Sequence, residues 1–357
     1  MIEQIKSSRG MRLIIGTAAF VIIIAGINLA QSVVVLFLVS VFFALLGTPP
    51  VLWLKEKSVP SGIAVLLVMS GMVIIILLIG AQIGTSLSGF SDELPLLQST
   101  IREQVLELSA FLRSKGFSGT QKLLLDYVNS EAIMKITAGL LSGLSSVISG
   151  LILILLTVTF ILLEVSSFPV KLRAILGDPE QAFPRFSKFV TEMQRYMVIK
   201  TLINLAAGIL IGIWMYILGV QFPILWGFIA FLLHYIPNIG SVIAAFPPAV
   251  LALVQIGMGS TLLVIAGNIF IGFIIGNVIE PRLMGRKFGI STLVVFLSLI
   301  FWSSLLGSIG AILCIPLTMT LKFAFESNES TQWIGVLLGS EKFNELSESK
   351  TKKKKQQ

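Results

Sequence analysis

The sequence predicts an all-α protein that crosses a membrane several times, and three observations carry that expectation. Mean hydropathy is +0.95, with 55% apolar and only 12% charged residues, against roughly 25% charged residues in soluble domains. Apolar runs such as LIIGTAAFVIIIAGINLA from Leu13 and GIAVLLVMSGMVIIILLIGAQIG from Gly62 reach the ~20 residues that cross a ~30 Å hydrocarbon core. Unpaired backbone groups are prohibitively costly there, so each run must be a helix. The apolar and polar alternation of barrel strands is not found.

Eight hydrophobic blocks can be marked, near 12–30, 33–47, 61–84, 140–164, 197–219, 223–256, 260–280 and 291–324. The first follows Lys6, Arg9 and Arg12 and so resembles a secretory signal. Its end, Asn28-Leu29-Ala30, is a poor cleavage site and a second apolar run starts at Val33, so it is read as an uncleaved span. Residues 1–84 therefore hold three transmembrane helices, with a short basic turn at 48–60 carrying Lys55 and Lys57. An extramembrane insert follows at 85–139. In it Leu94, Leu97, Ile101, Val105, Leu108 and Leu112 recur at three- and four-residue steps, the mark of an amphipathic helix, with a second one expected from Lys122 to Ile136. At this size it is small for an independent core, so it is expected against the membrane surface or against neighbouring subunits.

The transporter-like core is placed at 140–324 and a basic tail, ending TKKKKQQ, at 325–357. Within the core two blocks are not simple spans. HYIPNIGS breaks 223–256, and GSIG at Gly307 to Gly310 breaks 291–324, which leaves arms too short for a full crossing. If both are re-entrant hairpins, every short basic loop falls on one side. These are the N-terminal tail, 48–60, the 165–196 loop with Lys171, Arg173, Arg185, Lys188 and Arg195, the 281–290 loop with Arg282, Arg286 and Lys287, and the C-terminal tail. By the positive-inside rule that side is the cytoplasm. The net charge of +8 is spread along these flanks and reads as topology signal and lipid contact; it forms no nucleic-acid patch.

A span and an outer hairpin (197–256) followed by a span and an inner hairpin (260–324) make an inverted repeat in topology. Arms of about 18–20 Å entering from opposite sides would bring both tips to the middle of the core. Broken segments in corresponding positions of inverted halves point to a solute-binding site. At the first tip Pro237 makes the break, Gly240 is a further solute-binding candidate, and Asn238 or Ser241 can cap the second arm and turn its amide donors toward a cavity. Within 260–280, Asn268, Gly272, Gly276 and Glu280 recur every fourth residue as one slowly winding stripe. The two glycines form a GxxxG packing motif, while Asn268 and Glu280 need a partner or a wet cavity at such depths.

Glu280 directly precedes Pro281, and two readings of it stand open. It could titrate as a coupling group, or form a structural salt bridge with Arg282 or Arg286. Glu164 and Lys200 lie near the cytoplasmic ends of adjacent spans, as a snorkelling or mutually paired couple, with Glu164 a second coupling candidate. His234 is read as a hydrogen-bonded structural residue in preference to a proton relay. No enzyme is legible: the chain has no HExxH, no Walker loop, one histidine, and no aspartate within a hydrophobic block. The single Cys314 excludes an internal disulfide and a cysteine metal cluster, and no cofactor is implied.

HYIPNIGSVIAAFPP at 234–248, IEPRLMGRKFGISTLVVFLSLIFW at 279–302 and GAILCIPLTMTLK at 310–322 resemble the signature of the autoinducer-2 exporter family. LLEV at 162–165 and the insert after the third span extend the resemblance over nearly the whole chain. GSIG departs from the family's usual Gly-Pro at the first two of its positions, and Ser308 makes that tip less rigid. The resemblance implies an inner-membrane, multi-pass, homo-oligomeric permease that exports autoinducer-2, a small polyhydroxylated signal that is uncharged or, as its borate ester, anionic. Asn238, Gly240, Ser241 and Asn268 would then supply amide and hydroxyl contacts. Other similar proteins are assigned sodium/proton antiport, for which Glu280 or Glu164 would be the titrating carboxylate.

Overall fold

The computed structural model describes residues 9–114, 150–165, 184–237, 239–284, 290–328 and 330–339. In chain order the helices are α1 (Arg9–Leu29), α2 (Gln31–Glu56), α3 (Ser61–Ser114), α4 (Gly150–Val165), α5 (Pro184–Ile217), α6 (Pro223–Leu233), α7 (Gly240–Gln255) and α8 (Met258–Ile274). A π turn, Ile275–Ile279, joins α8 to α9 (Glu280–Met284), followed by α10 (Thr292–Glu326) and α11 (Gln332–Leu338). Among the described residues the only β pairing is an isolated bridge between Ile290 and Gly339. Among the described residues five stretches are long and apolar enough to cross a membrane: Gln31–Glu56, Ser61–Ser86, Phe186–Ile217, Met258–Met284 and Thr292–Glu326.

Large apolar side chains cover the outside, with Leu29 90% and Ile152 83% exposed. In water such a surface would aggregate, whereas lipid tails solvate it. The protein is thus a polytopic helical membrane protein, as the sequence predicts. Two elements run longer than expected. Helix α2 continues through Pro49 and Pro50 to Glu56, where the Lys57 ammonium stacks 3.9 Å from the centre of the Trp53 ring. Helix α3 continues unbroken for 54 residues, about 80 Å, so the periodic stretch at 94–112 extends the third span and is not a separate helix. Gly84 and Gly89 do not stop it, because a glycine weakens a helix by only about 1 kcal/mol and keeps its amide. The second amphipathic stretch, Lys122 to Ile136, lies outside the described residues.

The chain divides into two compact units, Ala44–Phe288 and a second made of Met1–Phe43 with Gly289–Gln357. In the first, α6 and α7 form a hairpin. The backbone amide of Gln221, before α6, donates to the side-chain oxygen of Gln255, the last residue of α7, at 3.3 Å. Leu225, Trp226, Ile229 and Ala230 of one arm share a buried core with Ala244, Ala249, Leu251 and Ala252 of the other. The arms have 11 and 16 residues, about 16 and 24 Å, so neither crosses a ~30 Å core alone. Left-handed backbone at Phe222 (φ 58) turns the chain into Pro223, and Gly257 (φ 109) turns it out into α8.

Glycines set the contact between α5 and α6. A Cβ on Gly208 would lie 2.6 Å from the Gly227 carbonyl oxygen, and one on Gly227 would lie 3.2 Å from the Gly212 Cα. Gly208 and Gly212 are themselves a GxxxG pair, which lets the backbones touch.

In the second unit, α10 is broken at Gly307, whose φ of 66 and ψ of −149 are not helical. Across the break the Trp302 indole donates to the Thr318 hydroxyl at 3.1 Å. The two residues would stand about 24 Å apart in a straight helix, so the arms fold back on each other. Beyond the break Gly310 packs against the Trp302 carbonyl, where no Cβ fits. Cys314 is fully buried.

Candidate functional site

The polar residues of the first unit gather where α5, the tip of the α6–α7 hairpin and the end of α8 pack together. Pro281 begins the local cause. Having no N–H, it cannot bond the carbonyl four residues back, and its ring crowds that turn. The helix widens just before it into the π turn, in which the Glu280 amide bonds to the Ile275 carbonyl. In an unbroken α-helix Glu280 would point about 140° away from Ile275; the wider turn swings it back toward the same side. Ile275 packs on Ile203 and Ala207 of α5, and Glu280 meets Lys200 one turn along that helix.

Both carboxylate oxygens of Glu280 accept from the Lys200 ammonium, at 2.8 and 2.9 Å. The side chains are 24% and 5% exposed respectively, so this is a largely desolvated ion pair. Among the described residues the partner of Glu280 is Lys200 and not Arg282, and Lys200 is taken by Glu280 where a pair with Glu164 was one expectation. Glu164 itself is exposed on α4. Arg286 lies outside the described residues.

Next to Lys200, the Thr201 hydroxyl donates to the Met197 carbonyl at 2.8 Å, and its oxygen lies 2.7 Å from the Tyr235 hydroxyl, which must therefore be the donor. Adjacent residues of α5 thus hold both the start of α9 and the hairpin tip. His234 is buried, its Nδ1 bonded to the Ala230 carbonyl at 2.7 Å. It lies within electrostatic range of Lys200 and Glu280.

Gly272 is the seat of the tip. A Cβ there would meet the Ser241 Cβ at 2.6 Å and oxygen at 3.0 Å, with the His234 Nε2 at 3.8 Å. Gly276, its supposed partner in a packing motif, has nothing within 4 Å. Gly272→Ala should therefore lower transport severalfold while Gly276→Ala leaves it unchanged, measured as flux per folded protein; equal loss in both would contradict this packing. Gly240 opens α7 with its Cα against the Leu233 carbonyl, again with no room for a Cβ. Ser241 stands one residue inside α7, whose N-cap is Ile239 with no side-chain cap bond. The cap expected of Ser241 is thus not made, and Asn238 lies outside the described residues.

Asn268 is fully buried one turn before Gly272, donating to the Val264 carbonyl at 2.9 Å. Its Oδ1, the His234 Nε2 and both polar side-chain atoms of Asn204 are buried without a hydrogen-bond partner. Asn204 and the Thr201–Tyr235 contact are absent from the sequence reading, although Asn204 is the one side-chain amide of the 197–219 block and follows Lys200 by one turn.

Helices broken in mid-span, close glycine contacts and unmatched polar groups inside an apolar shell define a membrane transporter for a small solute. The chain belongs to the AI-2E family of transporters, whose family model matches residues 17–329. It is similar to the AI-2 transport protein TqsA of Escherichia coli (strain K12), 37% identical over 95% of this chain and 98% of that protein. A second protein of the same strain, YhhT, is 33% identical over 92% of this chain and 95% of its own length. Its provisional name gives transport without a substrate, as does that of a Haemophilus influenzae relative, 34% identical over 92% of this chain and 96% of its own.

Proposed function

We propose that this protein exports a small polar signal of the AI-2 kind across the bacterial cytoplasmic membrane, as a homo-oligomer with both termini in the cytoplasm. The observation that carries the reading is the hairpin tip seated on Gly272: His234 and Ser241 lie over a glycine step flanked by Asn268, at the point where α8 loosens into a π turn. π turns recur at functional sites, and a tip that leaves this seat uncovers amide and hydroxyl groups and no lone charge. The name of the 37% identical relative supplies the solute. Asn238, Gly240, Ser241 and Asn268 are its contacts in this reading, with Pro237, Gly307 and Gly310 shaping the breaks. Sodium/proton antiport needs a carboxylate available to the ion; the two-pronged contact with Lys200 occupies Glu280 and favours the export reading.

Uptake and efflux of labelled AI-2 in proteoliposomes holding only this chain, with sodium and proton gradients imposed separately, tests it. Saturable AI-2 flux above empty liposomes is expected; ion exchange without AI-2 flux would replace it with antiport. The proposed topology places the 281–290 loop in the cytoplasm, because only re-entrant hairpins put all short basic loops on one side. A cysteine at position 286 in a Cys314→Ser background is then protected from an impermeant thiol reagent added to intact cells. The same topology puts the 85–139 region outside, so labelling at 286 as efficient as in that region would refute it.

A further inference from the structure

We propose that Asn204, His234 and Asn268 form the recognition site, and that the solute they select is an uncharged molecule donating at least two hydroxyl hydrogens. This deepens the export reading and rests on it for the identity of the cargo. Asn204 and Asn268 are 0% exposed and His234 9%. A buried polar atom without a partner carries its full desolvation penalty, and a leucine or phenylalanine would fill each position without it. Four such atoms on three packed elements are a costly feature for mere packing, and each becomes favourable once a ligand supplies the partner.

The three residues are held close by the contacts around them. His234 and Asn268 flank Gly272, the first over it and the second one turn before it. Asn204 follows by one turn the Lys200 and Thr201 pair that is bonded to Glu280 and Tyr235, and it adjoins Ile203, which packs on Ile275. The register of α5, the tip and α8 therefore places all three on elements that pack against one another around the tip.

Their free atoms define the ligand. A carbonyl oxygen only accepts, so His234 Nδ1 carries the hydrogen given to Ala230, and in the neutral imidazole Nε2 is an acceptor. Asn268 turns its NH₂ to the Val264 carbonyl, which fixes Oδ1 as an acceptor. Asn204 offers both a donor and an acceptor. Two directed acceptors and one amide match a vicinal diol or a larger polyol. The charges within range of His234, Lys200 and Glu280, are bonded to each other, so they present no net charge to the solute. An anion would set its lone pairs against those of Nε2 and Oδ1, which selects uncharged AI-2 over its borate ester.

Thermal shift on the purified full chain in detergent tests this with AI-2 in borate-free buffer, AI-2 with excess borate, five-carbon neutral polyols and the matching carboxylates. Saturable stabilisation by the neutral compounds is expected, with apparent affinity for AI-2 at least about tenfold weaker in borate, a difference of roughly 1.4 kcal/mol. Asn204→Leu should raise the melting temperature of the unliganded protein and abolish the ligand shift. His234→Phe, which removes Nε2 at similar volume, should abolish it too. A lower melting temperature for Asn204→Leu together with a preserved ligand shift, stabilisation by carboxylates alone, or no shift with any compound would overturn the assignment. Stabilisation by polyols without AI-2 would uphold the site and overturn the proposed cargo.

Discussion

Lys200→Met is expected to destabilise the protein more than any other single change considered, by about 3 kcal/mol, with transport lost in parallel. Breaking a buried ion pair costs about 3–5 kcal/mol because the remaining charge stays desolvated without a partner, and the partial exposure of Glu280 puts this case at the lower end. Removing both charges, as Lys200→Met with Glu280→Gln, should recover most of the loss, since a pair of neutral side chains leaves no ion buried. Melting temperature in detergent reads both variants. Lys200→Met as stable as the parent would show that the pair contributes nothing to the fold. Glu280→Gln alone separates two roles of the carboxylate: collapse of gradient-driven flux with preserved binding and gradient-free exchange marks coupling, while equal loss of all three marks structure.

Gly240→Ala should reduce flux by at least about tenfold and lower stability by roughly 1–3 kcal/mol, the range for overpacking a tight contact. The added methyl group would occupy the position of the Leu233 carbonyl. A side chain could rotate away, but a backbone carbonyl in a turn cannot, so the tip itself must open. The neighbouring bonds, Gly240 amide to Ile236 carbonyl at 3.2 Å and Ile239 amide to Pro237 carbonyl at 2.7 Å, show how little slack that turn has. Proteoliposome flux together with thiol labelling of a cysteine at position 241 checks the outcome. Unchanged flux with unchanged labelling would mean the tip has room that its contacts deny.

Much of this architecture is legible from residues alone because lipid leaves the backbone few choices. The eight apolar blocks correspond to helices wherever they are described, and the 223–256 block betrays its hairpin by length and by HYIPNIGS. The continuation of α3 past Ser86 is not legible, since Gly84 and Gly89 look like breaks and cost only propensity. Nor is the π turn, which shifts the face of α8 by one residue between Gly272 and Glu280 and so defeats a count by fours. The partner of Glu280 lies 80 positions away. Depth in the membrane demands a partner for such a carboxylate, but only packing names it, and the nearby Arg282 and Arg286 suggested a local answer. Asn268 stood out because it recurs with glycines; Asn204 stands at the same four-residue step from Gly208 and Gly212, a rhythm that the sequence reading passed over.

The glycine contact between α5 and α6 determines which arm of the first hairpin is free to travel. Helices slide past each other by exchanging side-chain rotamers, and Gly208, Gly212 and Gly227 have none to exchange. With peptide planes in direct contact, α6 is fastened to α5 like one plank to another. The two therefore move as a single rigid stave. If the seat at Gly272 opens as proposed, the movement comes from the other side of the tip, by α7 swinging at Gly257 or by α8 yielding at its wide turn. The hairpin is in this sense lopsided, one arm serving as frame and the other as door.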